Sequence, residues 1–324
     1  MKSRANTVAS SAATGRFMEN ETPGEAGKAS YSVSGDGSAR GKGPPPAPGV
    51  SSAERIARVI GDLPAMPHIA AQLLDKLSCE DTSPREINQL ITKDQALAAR
   101  VLKLANSPFY GASRSIATLN DALLFMGFDS IRSLILTTVL KSMYSRVGLA
   151  EKLFWEHSVG CGLAARKIAD EVRYLRRDEA YLAGLMHDVG KAALFWHAPG
   201  LMREVIRDVL NDGLDFLEAE QRRFGFTHAQ IGGSVAHAWC FVASIEEAIA
   251  GHHHTEQSGS TLELTHLVSA ADSICHKLSV GPIRKPDLDL NEVKSIKALG
   301  LTPDRVAKIL EASEKELTPA AADI

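Results

Sequence analysis

The amino-acid sequence predicts an all-α protein. From Ala53 onward, apolar residues recur at the three- and four-residue spacing of a helix that buries one face. Serine caps, a proline at a first helical position and a closing glycine mark the ends of these segments. No segment shows the sustained apolar–polar alternation of a half-buried strand. A chain of 324 residues with this pattern is long enough to pack its helices around a real core.

The residues that precede the helical pattern carry few groups that could form a core. They are rich in Ser, Gly, Ala and Pro and end in GKGPPPAPGVSS. Such a composition buries too little apolar surface to offset the entropy lost on ordering. We therefore predict that residues 1–52 form a disordered tail that is dispensable for folding.

A first helical group is predicted over residues 53–147. In SSAERIARVIGDL, a serine cap precedes Ile56, Val59 and Ile60 on one face, and the segment stops near Gly61. TSPREINQLIT begins with a capping serine followed by a proline. KDQALAARVLKLAN then repeats apolar residues at helical spacing.

Asn106 stands where the KDQALAARVLKLAN helix ends and a turn-rich loop, SPFYGASRS, begins. Its side chain can satisfy backbone groups left free at the helix end, so we expect it to stabilise the fold and take no part in chemistry. TLNDALLFMG is predicted to close on Gly127. FDSIRSLILTTVLKSMY has the composition of a long helix buried on most sides.

A second helical group, which carries most of the histidines, is predicted over residues 148–280. The stretch VGPIRKPDLDL interrupts the helical pattern, and TPDRVAKILEASEKEL resumes it. Residues 281–324 are therefore predicted to be a C-terminal linker and a short helix.

Charge and hydropathy exclude several classes of partner. The formal net charge is −3, and no block of Lys and Arg is long enough to favour nucleic acid. The first residues lack the apolar region of a signal peptide, and no later stretch approaches about 18 uninterrupted apolar residues. We expect a cytoplasmic protein that binds neither nucleic acid nor a membrane.

The four cysteines are interpreted as buried free thiols in a reducing cytosol. Cys79, Cys161, Cys240 and Cys275 are far apart, and no two of them form a CxxC pair. No thiolate ligand is indicated by their spacing.

His157 is the first candidate ligand. In FWEHSVGCGLAARKIADEV, helical spacing places it on one face with Phe154, Cys161 and Ala164. The imidazole is therefore predicted to point inward, which suits both a metal ligand and a packed core histidine.

His187 and Asp188 are adjacent in YLAGLMHDVGK. On one helix their side chains would point about 100° apart, so they converge on one ion only where other ligand-bearing elements meet them. Gly190 allows another backbone to come close. Lys191 lies one turn after His187 and could reach a bound anion such as phosphate.

Further candidates follow at helix-sized intervals: His228, the pair His252 and His253, and Asp272. Imidazoles and carboxylates suit Fe, Mn, Zn or Ni, so this series predicts a divalent transition-metal site. The remaining histidines do not fit the series, and we interpret them as residues of the surface or of the surroundings of the site: His197, His237, His254, His266 and His276.

Residues 154–272 resemble the HD superfamily of metal-dependent phosphohydrolases, whose signature is H…HD…D. From about Leu63 the chain resembles the HDOD family of that superfamily, through LPAMPHIAAQLL, ITKDQALAARVLKLANSPFYG and IATLNDALLFMGFDSIRSLIL. FWEHS, YLAGLMHDVGK, GFTHAQIGGSVAHAW and AIAGHHH extend the resemblance through the second group. It implies an N-terminal helical bundle packed on an HD-type bundle and a bacterial signalling or regulatory role.

The resemblance also implies roles for single residues. Four residues match the four-ligand signature: His157, His187, Asp188 and Asp272. Three residues match the histidines that complete a second metal position in related HD-GYP phosphodiesterases: His228, His252 and His253. Lys191 matches the lysine that faces phosphate in those enzymes. The chain lacks their DGxGYP loop, and Leu153 stands where trinuclear members place a glutamate, so the resemblance does not extend to cyclic-di-GMP hydrolysis.

Two functions are compatible with these residues. In a metal-dependent phosphohydrolase, Asp188 would bridge two cations that activate a water, and Lys191 would stabilise charge on the phosphoester. In a signalling module, the same residues would form a polar core network, or hold a metal as a scaffold, while the surface of the N-terminal bundle binds a protein partner. The resemblance to the HDOD family favours the signalling module.

Overall fold

The computed structural model describes residues 51–63, 67–77, 79, 81–107, 110–144, 149–257 and 262–323. The predicted tail lies outside these residues except at its last two positions. Within the described residues the regular structure is helical and contains no strand, which confirms the all-α prediction. The helices are α1 (Ser52–Gly61), α2 (His68–Leu77), α3 (Pro84–Ile91), α4 (Gln95–Ala105), α5 (Leu119–Tyr144), α6 (Leu149–Val172), α7 (Arg177–Met186), α8 (Val189–His197), α9 (Pro199–Asp212), α10 (Phe216–Phe224), α11 (His228–Ala238), α12 (Ala243–Gly251), α13 (Leu262–Lys277), α14 (Lys294–Ala298) and α15 (Pro303–Asp323).

Helices α2–α5 enclose the first of two hydrophobic cores. Apolar side chains such as Leu73, Ile87 and Val101 are fully buried in it. The start of α3 is fixed locally, because the Ser83 hydroxyl accepts the Glu86 N–H while the Glu86 carboxylate accepts the Ser83 N–H. This reciprocal cap satisfies two backbone donors that a helix start otherwise leaves free.

Helix α5 belongs to both cores. Gly127 interrupts it with φ 77° and ψ 168°, so the predicted helix end at this glycine is observed as a break within the longer span. Beyond the break, Ile135 lies in the first core and Leu136 in the second. Among the described residues, α5 has the length and composition of a membrane-crossing helix, but 61% of its most apolar window is buried against the protein's own helices. It is therefore packed as a core helix.

The second core lies among helices α6–α13, with α6 packed between α7, α13 and α15. Most of α6 after Leu153 is buried, including Phe154, Ala164 and Ile168. A helix surrounded on most sides in this way can present a polar side chain to an interior that several other helices also reach.

Two helices pack differently from the helical groups that the sequence predicts. The apolar face of α1, with Val59 1% exposed, packs on the second core against α8 and α11, although the sequence predicts this helix within the first group. The C-terminal helix α15 is 21 residues long and buries Val306 and Ile309 in the same core, so it is more than a short terminal helix. Both helices are amphipathic, and their partner surfaces are distant in sequence, so local periodicity cannot identify them.

Candidate metal centre

The structure brings all seven candidate ligands to one interior of the second helical group. The ligands come from five places: His157 within α6, His187 and Asp188 between α7 and α8, His228 at the start of α11, His252 and His253 after α12, and Asp272 within α13. Six of the seven side chains are buried: His157, His187, Asp188, His228, His252 and Asp272. His157 Nε2 lies 3.1 Å from Asp272 Oδ1, a contact that joins α6 to α13.

His187 and Asp188 lie at a helix junction. His187 ends α7, and Asp188, with φ −98° and ψ 13°, begins α8. Because the backbone departs from helical geometry at Asp188, the two side chains face the same interior, with His187 Nε2 3.5 Å from Asp188 Oδ2. The turn between the helices overcomes the divergence that a continuous helix would impose on adjacent residues.

The carboxylate of Asp188 stands between two groups of ligands. Its Oδ2 faces His187 and also His157, whose Nε2 is 3.8 Å away. Its Oδ1 faces the other group, 3.2 Å from His228 Nε2. A carboxylate placed in this way can bind one cation through each oxygen.

The second group consists of three imidazoles whose Nε2 atoms converge. His228 Nε2 lies 3.0 Å from His253 Nε2 and 3.4 Å from His252 Nε2. These distances match those between ligand atoms that share one transition-metal ion, which are about 3–3.5 Å.

Backbone carbonyls fix the orientation of two of the imidazoles. The Nδ1 of His187 lies 2.7 Å from the Gly184 oxygen, and the Nδ1 of His252 lies 2.7 Å from the Ile249 oxygen. Because a carbonyl oxygen can only accept, each Nδ1 must carry the hydrogen. Each neutral ring then presents the Nε2 lone pair to the centre, as metal-binding histidines do.

The other two buried imidazoles are held in the same way by more distant residues. The Nδ1 of His228 donates to the Glu220 carboxylate at 2.7 Å, and the Nδ1 of His157 donates to the Val280 carbonyl at 3.1 Å. Gly281, with φ +102°, follows this carbonyl, and a Cβ added there would lie 2.7 Å from His157 Cβ. The loop can therefore close over His157 only with glycine at this position.

The donor set fits a transition-metal cation. Two buried atoms that point into the centre, His187 Nε2 and Asp188 Oδ1, have no hydrogen-bond partner. Unpartnered buried polar atoms are costly, and facing nitrogen lone pairs repel, unless a proton or a cation lies between them. Imidazole nitrogens and carboxylate oxygens suit Zn, Fe, Mn or Ni.

Burial and mutual charge separate the pKa values of the histidines. Burial, together with His228 nearby, lowers the pKa of His253 to about 3, and burial beside His253 holds the pKa of His252 well below its usual value. Burial also opposes protonation of His157, but its hydrogen bond to Asp272 and the charges of Asp272 and Asp188 outweigh this and raise its pKa to about 9. His252 and His253 are therefore neutral, as a ligand must be, whereas a metal has to displace a proton from His157.

Lys191 is turned towards Asp188. Its Nζ donates to Asp188 Oδ2 at 2.8 Å and lies 4.6 Å from the centre of the Phe216 ring, with the residue 7% exposed. The ammonium group therefore neutralises the central carboxylate from inside the protein. Gly190 fits beside it because an added Cβ would collide with the His228 carbonyl oxygen, so the predicted close approach of another backbone at this glycine is observed.

Three further residues surround the ligands. Cys161 Sγ lies 3.5 Å from His157 Nε2, so a thiol stands beside the predicted ligands, which the spacing of the cysteines did not indicate. His276 Nε2 lies 3.4 Å from Asp272 Oδ1. Both residues stand four positions after a ligand on the same helix, and this spacing was the available signal. Glu220, fully buried, has no such signal because it acts from another helix.

Other histidines lie apart from this group. His197 Nδ1 is 2.7 Å from Asp62 Oδ2, and His237 Nδ1 is 3.2 Å from Glu246 Oε2. These contacts agree with their interpretation as histidines outside the ligand set.

An all-helical fold that gathers His, His-Asp and Asp side chains from separate helices around one interior defines the class of HD-type proteins. The HDOD domain model matches residues 63–255. The chain belongs to the HDOD family.

Several known proteins are similar to this chain. An HDOD domain protein of unknown function from Geobacter sulfurreducens is 27% identical, with a TM-score of 0.70 over 84% of this chain and 99% of that chain. A candidate phosphohydrolase from Shewanella amazonensis SB2B is 23% identical, with a TM-score of 0.66 over 81% and 94%. A candidate signal transduction protein from Marinobacter aquaeolei VT8 is 19% identical, with a TM-score of 0.68 over 84% and 65%. An uncharacterised protein of Treponema pallidum is 23% identical over 209 residues, and the match spans 62% of this chain but only 40% of that protein.

Proposed function

We propose that this HDOD protein is a signalling module in which a buried metal centre holds the second helical group in one arrangement while the protein surface binds a partner protein. The observation that carries the proposal is the enclosure of the ligands. His187, Asp188, His228 and His252 are each at most 1% exposed. A substrate needs an open coordination position that it can reach, and ligands enclosed in this way offer little access to one; among the seven candidate ligands, only His253 is not buried.

Lys191 supports the same function. An ammonium that is already bonded to Asp188 Oδ2 and packed on Phe216 is directed away from solvent. It contributes charge balance within the core, because the buried carboxylate would otherwise need another cation. Burial opposes the charge on this lysine, but the carboxylates of Asp188 and Glu220 outweigh it and raise the Lys191 pKa.

A metal-dependent phosphohydrolase is the second candidate, and the placement of Asp188 favours it. The two oxygens of this carboxylate face two separate groups of ligands. Bound divalent cations in such positions supply Lewis-acid activation of a water and of a phosphoester. The residues of this chain would then hold the ions, and Lys191 would have to turn from Asp188 to contact phosphate.

We also place the protein in the cytoplasm, and we expect its partner to be a signalling protein, with no binding to nucleic acid or a membrane. The burial of α5 among the protein's own helices supports the cytoplasmic location and the expectation that the protein does not bind a membrane. The net charge of −3 supports the expectation that the protein does not bind nucleic acid, because a negative chain has no overall attraction to a polyanion.

Elemental analysis of the full chain, purified without chelator, tests the metal centre. We expect about one or two transition-metal ions per chain, and we expect Asp188→Ala to lose them and to melt at a lower temperature. Asp287→Ala, at an exposed carboxylate, is the matched control and should change neither property. A metal-free native chain whose melting curve is unchanged by Asp188→Ala would contradict the metal centre.

Turnover of a generic phosphodiester separates the two functions. The metal-loaded chain is expected to hydrolyse no phosphodiester. It is also expected to capture a protein from native cell extract that is not captured after a chelator has removed the metal. Turnover that follows metal content and is lost in Asp188→Ala would instead establish the phosphohydrolase.

A further inference from the structure

Cys161 lies beside the first group of ligands, which consists of His157, His187 and Asp272. It follows His157 by one turn of α6, is 0% exposed, and places its Sγ 3.5 Å from His157 Nε2. Ligand atoms of His157, Cys161, His187 and Asp272 all lie within 4.8 Å of one another. The four residues come from three elements, so their convergence is a property of the packing of α6, α13 and the α7–α8 junction.

The spacing of these atoms matches one tetrahedral site. Two ligand atoms at ordinary bond lengths from a tetrahedral Zn²⁺ lie about 3.3–3.7 Å apart, the longer value applying to a sulfur and a nitrogen. The measured separations are 3.5 Å from Cys161 Sγ to His157 Nε2 and 3.1 Å from His157 Nε2 to Asp272 Oδ1. His187 Nε2 is slightly further from Asp272 Oδ1, at 3.9 Å.

An independent observation indicates that the space between these four residues could hold an ion. His187 is 1% exposed, its Nδ1 donates to the Gly184 carbonyl, and its Nε2 has no hydrogen-bond partner. The lone pair on Nε2 is thus aimed into the same space as the Cys161 sulfur.

We propose that Cys161 is a thiolate ligand of the first metal position, which then carries two nitrogens, one sulfur and the Asp272 oxygen, while Asp188 Oδ2 stays bonded to Lys191. This inference rests on the metal centre of the proposed function and specifies its chemistry. Thiolate ligands select Zn²⁺ and related borderline ions and disfavour Mg²⁺ and Ca²⁺, which require oxygen ligands. Coordination removes the Sγ proton of Cys161 to solvent, so uptake of the ion releases that proton.

The two metal positions then differ in chemistry. The second position, with His228, His252, His253 and Asp188 Oδ1, offers nitrogen and oxygen only. The first position is expected to hold a zinc-like ion more tightly than the second, because sulfur is supplied on that side alone. If Cys161 were only a packed core thiol, both positions would be nitrogen and oxygen sites.

Cobalt(II) reports sulfur ligation directly, because a thiolate bound to Co²⁺ adds a charge-transfer band in the near ultraviolet. The full chain would carry Cys79→Ser and Cys240→Ser, because these two thiols are exposed. Their interpretation as buried thiols is therefore wrong. After metal removal it would be titrated with Co²⁺, and the bound metal and the absorption spectrum would be measured together. Cys161→Ala and Cys161→Ser would be compared with Cys275→Ala, which removes the other buried thiol.

The expected result is a charge-transfer band in the parent chain and in Cys275→Ala, and its loss in both Cys161 variants. Circular dichroism of each variant checks that the helices are retained, and the band in the parent chain remains informative if a variant does not fold. Stoichiometric Co²⁺ binding by the parent without the band would overturn the thiolate ligand and leave the metal centre intact. A band that is lost in Cys275→Ala and retained in Cys161→Ala would overturn it as well. A parent chain that binds no Co²⁺ would contradict both the ligand and the metal centre.

Discussion

At the scale of single residues, the proposed metal centre depends on groups that hold each imidazole in one orientation. A carbonyl or a carboxylate receives the Nδ1 hydrogen of every buried histidine ligand, and Nε2 is left for the centre. Such partners typically change metal affinity by about 10–100-fold when they are removed. Residues that would not touch a bound ion are therefore expected to determine how tightly it binds.

Gly281 is the most exacting of these positions. Gly281→Ala is expected to destabilise the fold by about 1–3 kcal/mol, because φ +102° is unfavourable for alanine. The added Cβ should also displace His157 and reduce the metal content of the purified chain. Thermal melting and elemental analysis measure the two effects. Gly200→Ala is the matched control, since a Cβ there would meet nothing within 4 Å, and an equal loss in both variants would contradict the prediction.

At the scale of helices, single polar contacts join elements whose apolar faces are already packed. Arg223 of α10 donates to both oxygens of Asp208 in α9, at 2.6 and 2.7 Å, and also to Glu204. Asp208 is 3% exposed, so an unpaired charge at this position would be poorly solvated. The pair fixes the register of two helices that carry no metal ligand, although α10 contains Glu220 and is followed by His228.

The Asp208–Arg223 pair predicts a loss of stability in acid. The hydrogen bonds from Arg223 hold the pKa of Asp208 below its usual value, despite burial, which acts in the opposite direction. A depressed carboxylate pKa stabilises the fold above the unfolded value of about 4, and this contribution disappears as the pH falls through the folded value. Asp208→Asn is expected to cost about 2 kcal/mol at neutral pH and to remove this part of the acid dependence.

Urea denaturation at several pH values between neutrality and acid measures the prediction for Asp208. The control is Glu204→Gln, which removes the other, more exposed partner of Arg223. It should have a smaller effect, because an exposed ion pair contributes less. Parallel pH profiles for the native chain and Asp208→Asn would show that the pair does not titrate as inferred.

Asn106 joins the end of α4 to the loop that leads into α5. Its Nδ2 donates to the carbonyls of Leu102 and Ile116, and its Oδ1 accepts the Ile116 N–H, each at 2.8 Å. Asn106→Ala should cost about 1–3 kcal/mol, because backbone groups lose their partners, while metal content stays unchanged. Urea denaturation and elemental analysis measure this. Ser113→Ala, in the exposed part of the same loop, should be neutral, and a neutral Asn106→Ala would contradict the structural role.

At the scale of the whole described chain, the order of elements in sequence differs from their grouping in space. Helix α1 comes first in the described chain and α15 comes last, yet both pack on the second core. Helix α5 contributes buried residues to both cores, so the two helical groups are packed on the same helix. A change of packing in one helical group can therefore alter the packing of the other group through α5.

The first residues of the chain provide a test at this scale. A chain that begins at Gly49 is expected to keep the melting temperature of the full chain, because the composition of the deleted part cannot form a core. A chain that begins at Ala53 should lose about 1 kcal/mol, since Ser51, which the sequence predicts as part of the dispensable tail, accepts the Glu54 N–H and caps α1. Calorimetry of the two truncated chains separates these effects, and a large drop in the longer one would show that the deleted residues contribute to the fold.

The sequence by itself determined the helical class, the helix ends marked by Ser83, Asn106 and Gly127, and the inward direction of His157. These features depend on residues within a few positions of one another, where side-chain periodicity and capping act. The family followed from motifs that are also local. Each of these could be read without knowledge of which helix packs on which.

Only the tertiary structure decided how the ligands are shared. The two oxygens of Asp188 face different groups of ligands because Asp188 lies at the turn between α7 and α8, where His157 of α6 faces one oxygen and His228 of α11 faces the other. Cys161 and Lys191 take their roles from contacts made in the folded core, one with a ligand and the other with the central carboxylate. Helical periodicity specifies the face of a helix that is buried, but the atoms that meet that face belong to residues far away in the chain, and packing alone brings them together.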